Sequence, residues 1–475
     1  MLAGLCFQLA TLLVAVLKGV VSLRLLSGQG PVFYAALSQF IVMATFFGAV
    51  LSLQLDAATV RFAADGQRPL ARILGGHLAC VALVGLVLVL VMLAWGDQLS
   101  PWVFDVPGWR WPMVLAVTSS TQTALWLVLL SSLQARSRFR FMASLQTAQY
   151  LLQLLAIAVS VRWGNPLAVM AALVLGDGLL LLVLMVLIVR DTGIGRPDRA
   201  YLHQALRFAW PLMVSYFLTW LIHASGRFLQ VKVHGLASVA PYAATFTIAQ
   251  LVGFLTPAFV NVVYPRVARA EPMEVPGLMR RALLAYVLAT VPLFLFFVME
   301  GEALVHLASR HGFYAGTGVM AGLAIGFLAT GFQRLAGIRL MTSDKTRLSM
   351  QFLAVGAVVA LSVTGLGVGR WGPTALAFAY ALGFVIPLGL TLRAIGADAL
   401  GIHWRPLLLP ALKLLPAIGV MIAPLWVLRG EGVGRLMLAG GASFLGYGAM
   451  LVLLGVLPWA LLRQALAPMR ARLKR

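Results

Sequence analysis

At 475 residues, 61% hydrophobic and only 11% charged, the chain carries too few polar side chains to clothe a water-facing surface, since soluble proteins average about 25% charged residues. A mean hydropathy of +0.95 excludes a soluble enzyme and requires most residues to face lipid or each other. The net charge of +22, from 36 Lys and Arg against 14 Asp and Glu, would suggest nucleic acid in a soluble domain. In a membrane protein it reads as basic residues gathered in cytoplasmic loops, and nucleic acid is not an expected partner.

A transmembrane helix takes roughly 20 mostly apolar residues. In chain order that template fits fourteen spans: 3–23, 33–55, 74–95, 112–133, 147–161, 167–189, 206–225, 238–263, 282–299, 314–338, 350–369, 373–392, 407–428 and 436–461. The first starts almost at the N-terminus without a basic start or a small-residue cleavage site, so it reads as a span and not a removable signal. The runs are continuously apolar rather than alternating, which predicts helices and not a barrel. The expected fold class is therefore all-α, a polytopic membrane protein of about 14 transmembrane helices, with no soluble domain inserted. Cys6 and Cys80 both lie in apolar runs and read as packing residues.

The basic residues predict an orientation. With the N-terminus cytoplasmic, inner loops and the tail (Arg463 to Arg475) hold 25 of them and outer loops 9, while Lys18 and Lys413 fall within spans. Both termini are then cytoplasmic.

Two passages nearly repeat. RWGNPLAVMAALVLG from Arg162 returns as RWGPTALAFAYALG from Arg370, an offset of 208, and Tyr34 in SGQGPVFYAAL matches Tyr242 in VHGLASVAPYAAT at the same offset. The basic turn RFRF from Arg138 lies 207 before KTRL from Lys345. This period covers six spans, an even number, so both copies keep one orientation, the parallel-repeat plan with a site between lobes near the midplane. The expected organisation is an N-terminal six-helix lobe (1–200), a C-terminal six-helix lobe (201–400), and two added helices with a basic cytoplasmic tail (401–475).

RLLSGQGPVFYA (Arg24 to Ala35), LDAATVRF (Leu55 to Phe62), LQARSRFRF (Leu133 to Phe141), ALRFAWPL (Ala205 to Leu212), SGRFL (Ser225 to Leu229), VYPRVAR (Val263 to Arg269) and TSDKTRL (Thr342 to Leu348) occur in that order, followed by RWGPTALA. This ordered set resembles the polysaccharide-flippase (O-antigen transporter-like) branch of the multidrug/oligosaccharidyl-lipid/polysaccharide exporter superfamily, over the first twelve spans. The resemblance implies an inner-membrane transporter that moves undecaprenyl-pyrophosphate-linked oligosaccharide from the inner to the outer leaflet by alternating access, without ATP. It also implies work alongside a polysaccharide polymerase and glycosyltransferases, and a groove for the lipid tail in the last two spans. The sequence departs from its relatives where Gly226, and not an acid, precedes Arg227.

Ionisable groups inside the bilayer cost about 2.5–3.5 kcal/mol at a helix centre, so they are the first site candidates. Lys18, Arg24, His223, Arg227 and Arg334 are the candidate substrate-binding residues. A cleft with cations unmatched by acids suits an anionic lipid pyrophosphate, although Arg24 and Lys413 also fit interfacial snorkelling. His223 and Arg227 stand at i and i+4 and share a helix face. Arg334 aligns, through the 208 offset, with Trp126 inside the fourth span. Asp177, the one acid at mid-span, reads either as a coupling carboxylate or as a structural bond between helices, and Asp56 with Arg61 as an interfacial or gating pair. Thr118 to Thr123 and the series Gln146, Gln149 and Gln153 form polar stripes that point inward, suiting sugar hydroxyls or helix–helix bonds. Pro211, Pro257, Pro292 and Pro387 mark expected kinks.

No phosphate-binding Gly-rich loop, metal cluster, nucleophile triad or cofactor motif is visible, so no cofactor and no enzymatic activity are expected. Two relatives of the flippase reading stay open: a lipid II flippase of peptidoglycan synthesis, and a drug or cation antiporter, which would favour acids in the cavity. A membrane glycosyltransferase would need a large outer loop with catalytic acids, and the longest here is about sixteen residues.

Overall fold

A computed structural model describes residues 2–64, 68–136, 138–309, 312–343, 345–401, 404–428 and 432–456. The basic tail from Arg463 to Arg475, Arg310, Arg429, the end of the last predicted span and the side chain of Cys6 lie outside the described residues. Cys80 is a half-buried free thiol.

Without water to satisfy a bare backbone, each apolar run closes its hydrogen bonds internally as a helix. The order is α1 (Leu2–Ser27), α2 (Pro31–Leu51), α3 (Leu55–Ala64), α4 (Leu70–Val103), α5 (Arg110–Ala135), α6 (Phe139–Ser160), α7 (Pro166–Thr192), α8 (Arg199–His234), α9 (Val239–Ala249), α10 (Thr256–Arg269), α11 (Val275–Ala308), α12 (Thr317–Thr342), α13 (Thr346–Trp371), α14 (Pro373–Ile395), α15 (Ala397–Leu400), α16 (Trp404–Val427) and α17 (Val433–Leu453). No strand occurs among the described residues. Among the described residues, twelve helical segments are long and apolar enough to cross a membrane, α9 to α10 counting as one, and α1 and α16 fall on the first and thirteenth predicted spans. The protein is an all-α polytopic membrane protein.

Local chemistry sets the ends. Pro31, Pro166 and Pro373 open α2, α7 and α14, where a missing N–H costs nothing. Asn165 and Asp198 cap α7 and α8 by accepting from the amides of Leu167 and Tyr201 at 2.9 and 3.2 Å. Gly164 ends the turn after α6 in a left-handed conformation at φ 63°.

Two spans are less regular than their hydropathy predicts. The second ends at Leu51, and Leu53 and Gln54 take left-handed φ of 44° and 50° before α3 begins; non-glycine residues hold that region only under structural constraint. The eighth, predicted as one run over 238–263, is α9, a tighter 3-10 segment (Gln250–Leu255) and α10. Pro257 therefore starts α10 instead of kinking a helix.

α5 lies against α2, α3, α4 and α7, and α1 packs on α6. α12 and α13 both pack on α14, α11 packs on α12, and α8 reaches α13 on one side and α2, α3 and α4 on the other. α16 and α17 form a hairpin against α11, fastened by an ion pair between buried Glu300 and half-buried Arg435 and by Tyr447 donating to the carbonyl of Leu288 at 3.1 Å.

Candidate functional site

A cavity of about 710 Å³ opens between these groups of helices, walled by α1, α2, α3, α5, α6, α7, α8 and α9. Of the eight predicted site residues it brings four together: Lys18 on α1, Asp56 on α3, Asp177 on α7 and Arg227 on α8.

Arg227 is 7% exposed. Its Nη1 donates to the Ser38 hydroxyl at 3.1 Å, and its guanidinium lies over the rings of Phe246 at 4.7 Å and Tyr242 at 5.4 Å. Nε is buried without a partner, and no acid pairs with it among the described residues. Ring faces attract a cation but do not cancel its charge. At Gly226 α8 packs closely on α13 and α14: a Cβ there would lie 3.1 Å from Leu376 and 3.3 Å from Thr364, so a side chain would need these neighbours to give by a few tenths of an ångström.

Lys18 and Asp177 form the opposite case. The Lys18 ammonium donates to Gln153 Oε1 at 2.6 Å. Gln153 Nε2 donates to both Asp177 oxygens at 2.9 Å, and Gln149 adds a third bond at 3.2 Å. Two members of the predicted glutamine stripe thus hold the mid-span acid. Gly178 beside it lets Gln122 approach, a Cβ there falling 2.8 Å from the Gln122 amide nitrogen.

Asp56 enters the cavity because the α2–α3 break turns the chain there, and one of its oxygens is buried without a hydrogen bond. Burial holds its carboxyl above the ordinary carboxylate range. The predicted Asp56–Arg61 pair does not form. Five residues apart, the two point to different sides of α3, and Arg61 stacks over Phe208 at 4.4 Å.

The other candidates stand off the cavity wall. Arg24 donates to the carbonyl of Ser309 at 2.5 Å and contacts that of His306 at 3.5 Å. It thereby ties α1 to the α11–α12 connection, which also meets α2 through an edge-on Tyr34–Phe313 contact at 5.6 Å and α9 through Ala315 N–H to Thr245 at 3.0 Å. His223 sits in an aromatic shell with Tyr380 at 4.9 Å and Phe384 at 5.1 Å, a packed histidine rather than a cavity donor. Arg334 is exposed on α12, near enough to interact electrostatically with Tyr216, His223, Tyr286 and Tyr380, whereas its repeat counterpart Trp126 is 4% exposed. Lys413 donates to the carbonyl of Leu454 at 2.7 Å, closing the last turn of α17.

Much of the Thr118–Thr123 run is self-satisfied: Thr118, Ser120 and Thr121 donate to carbonyls four residues back at 2.8, 2.8 and 2.9 Å, and Ser119 and Thr123 reach the cavity wall. Sequence reasoning missed Ser38, Tyr150 and Tyr216 on that wall. Tyr34 and Tyr242 appeared only as a repeat pair, which was the available signal for their shared place near Arg227.

No protein-family model and no curated protein sequence matches the chain. Among solved structures, the lipid II flippase MurJ in an inward closed conformation superposes with a TM-score of 0.76 at 11% identity, over 95% of this chain and 98% of that one. A multidrug resistance MATE family transporter of the MOP superfamily superposes in its inward-facing conformation at 0.64 and 14% identity, over 85% and 95% of the two chains. The corresponding outward-facing structure gives 0.58 and 13%, over 82% and 93%. At these identities the likeness is one of architecture: the chain has the MOP fold.

Proposed function

We propose that the protein is a transporter that carries an undecaprenyl-pyrophosphate-linked oligosaccharide from the inner to the outer leaflet of a bacterial cytoplasmic membrane, for cell-surface polysaccharide biosynthesis. Arg227 carries this reading. A buried guanidinium without an acid is expensive, and an anion from outside the protein would satisfy it with charge-assisted bonds. Lys18, on the other side of the cavity, offers a second cation, and the hydroxyls and amides between them suit sugars.

In this reading the lobes of residues 1–200 and 201–400 rock about the cavity, with 401–475 as the addition and both termini cytoplasmic. The Arg24 contacts with the α11–α12 connection are the outer closure, and Asp56 and exposed Arg334 stand towards the inner mouth. Asp177, through Gln153, holds Lys18 towards the cavity. The polymerase and glycosyltransferases of the same pathway are the proposed partners.

A lipid II flippase is the second reading, favoured by the TM-score of 0.76 to MurJ; its cargo is also lipid-linked. The experiment is a deletion strain complemented with wild type, Arg227→Ala or Arg334→Ala at matched protein levels, scored for lipid-linked glycan, lipid II and surface polysaccharide. Trapped lipid-linked oligosaccharide, relieved by wild type and not by Arg227→Ala, supports the proposal. Accumulated lipid II would move it to the second reading, and intact surface glycan with sensitivity to cationic drugs would overturn both.

A further inference from the structure

A second concavity, of about 460 Å³, lies between α10 and α11 and shares no lining residue with the central cavity. Its walls are apolar, with Phe259 and Val263 on α10 facing Leu278 and Ala282 on α11. Two guanidiniums also line it, Arg266 and Arg281, one from each helix. Both are exposed. Arg281 donates only to the carbonyl of Gly277, at 3.2 Å, and among the described residues neither arginine pairs with an acid, although Glu271 and Glu274 lie in the connection between the helices.

The groove is open at its rim, where Arg266 and Arg281 are exposed, and its floor is Val267, buried in a cluster with Met279, Leu283 and Tyr286 of α11 and Leu335 and Ile338 of α12. Two and four turns beyond Arg281, the same stripe of α11 meets the α16–α17 hairpin at Leu288 and Leu295. An apolar cleft open at the surface of a polytopic protein suits a lipid chain. Its walls give a sugar nothing to bond, and its two exposed cations attract an anion.

We propose that this groove is a binding site for an anionic phospholipid, one acyl chain lying between α10 and α11 and the headgroup phosphate between Arg266 and Arg281. Charge complementarity decides the headgroup: each basic residue near a membrane surface contributes about 1 kcal/mol towards anionic lipid, and a paired guanidinium arrangement adds bidentate geometry. A zwitterionic lipid carries its own counter-charge and gains less.

The test is native mass spectrometry of the full chain in detergent with dioleoylphosphatidylglycerol and dioleoylphosphatidylcholine. Wild type is expected to retain the anionic lipid about tenfold better. Arg266→Ala/Arg281→Ala is expected to lose that preference, as is Ala282→Trp, which fills the cleft and keeps both charges. Arg266→Lys/Arg281→Lys is expected to keep part of it, and Arg269→Ala/Arg280→Ala, whose arginines do not line the groove, to keep all of it. Equal retention of the two lipids by wild type overturns the site. Equal losses in the two double-alanine variants would make the attraction a diffuse property of the basic surface, and displacement by farnesyl phosphate at lower concentration would make the occupant a prenyl carrier; either result refutes the proposal.

Discussion

Lys18 and Asp177 share one polar chain without forming a direct ion pair, because Gln153 stands between them, accepting from the ammonium at 2.6 Å and donating to both carboxylate oxygens at 2.9 Å. Removing either charge leaves the other in the helix bundle without its counter-charge. Lys18→Met and Asp177→Asn are each expected to lower the melting temperature in detergent, and the double variant to recover much of the loss. A coupling of about 1–3 kcal/mol is expected; strict additivity would show the two charges to be independent.

Arg227 presents the opposite balance. Arg227→Met removes a buried charge and orphans no acid, so the variant is expected to melt at or above the wild-type temperature while losing transport. Farnesyl pyrophosphate should stabilise wild type, by about 2.7 kcal/mol at a hundred times its Kd, and leave Arg227→Met unmoved. A variant that melts far lower, or that still responds to the pyrophosphate, refutes this role.

The proposed outer closure at the Arg24 contacts has a readable state. In a background with Cys6 and Cys80 replaced by Ala, Ser22→Cys places a thiol on the cavity wall. Labelling by a membrane-impermeant reagent applied from outside is expected to be slow, and to rise when Arg24→Ala is added. An unchanged rate would mean that Phe313 and Ala315 close this end unaided.

Glu300 is 4% exposed and depends on Arg435. Arg435→Ala strands it and is expected to cost about 3–5 kcal/mol, seen as a lower melting temperature. Adding Glu300→Gln should return most of that loss. Equal melting of wild type and Arg435→Ala would refute the pair as the fastening of the α16–α17 hairpin.

Burial raises the Asp56 carboxyl above its ordinary range. The folded state therefore binds this proton more tightly than the unfolded one, and stability falls as pH rises from the ordinary carboxylate range through the raised value. Asp56→Asn is expected to flatten that slope and to raise the melting temperature at neutral pH. An unaltered pH profile would count against an ionised, buried Asp56.

Spans and fold class were legible because bilayer thickness and the need to satisfy the backbone inside it are strong, one-dimensional constraints. What depends on helix rotation was not. Arg334 aligns with a buried tryptophan, yet it is exposed, since a repeat preserves register and not surroundings. Arg24, at the end of the first predicted span, reads in the sequence either as a substrate-binding cation or as a snorkelling one, and only the fold brings the Ser309 carbonyl, 285 residues away, to meet it. The 3-10 segment at Gln250–Leu255 is equally invisible to a hydropathy window, which counts apolar side chains and not the hydrogen-bond step between them. Ser38 carries no sequence signal at all, being a single hydroxyl in an apolar helix.

In the proposed reading of an anionic cargo carried between two lobes, the contrast between Arg227 and the Lys18–Asp177 chain divides the labour of those lobes. One copy keeps an internal counter-ion and is electrostatically at rest with or without a visitor. The other is at rest only while a visitor is present. Loading is therefore downhill at Arg227 and release is uphill there. The anion can depart only as another ion arrives, or as movement of α8 brings water to the guanidinium, which ties unloading to the conformational cycle itself.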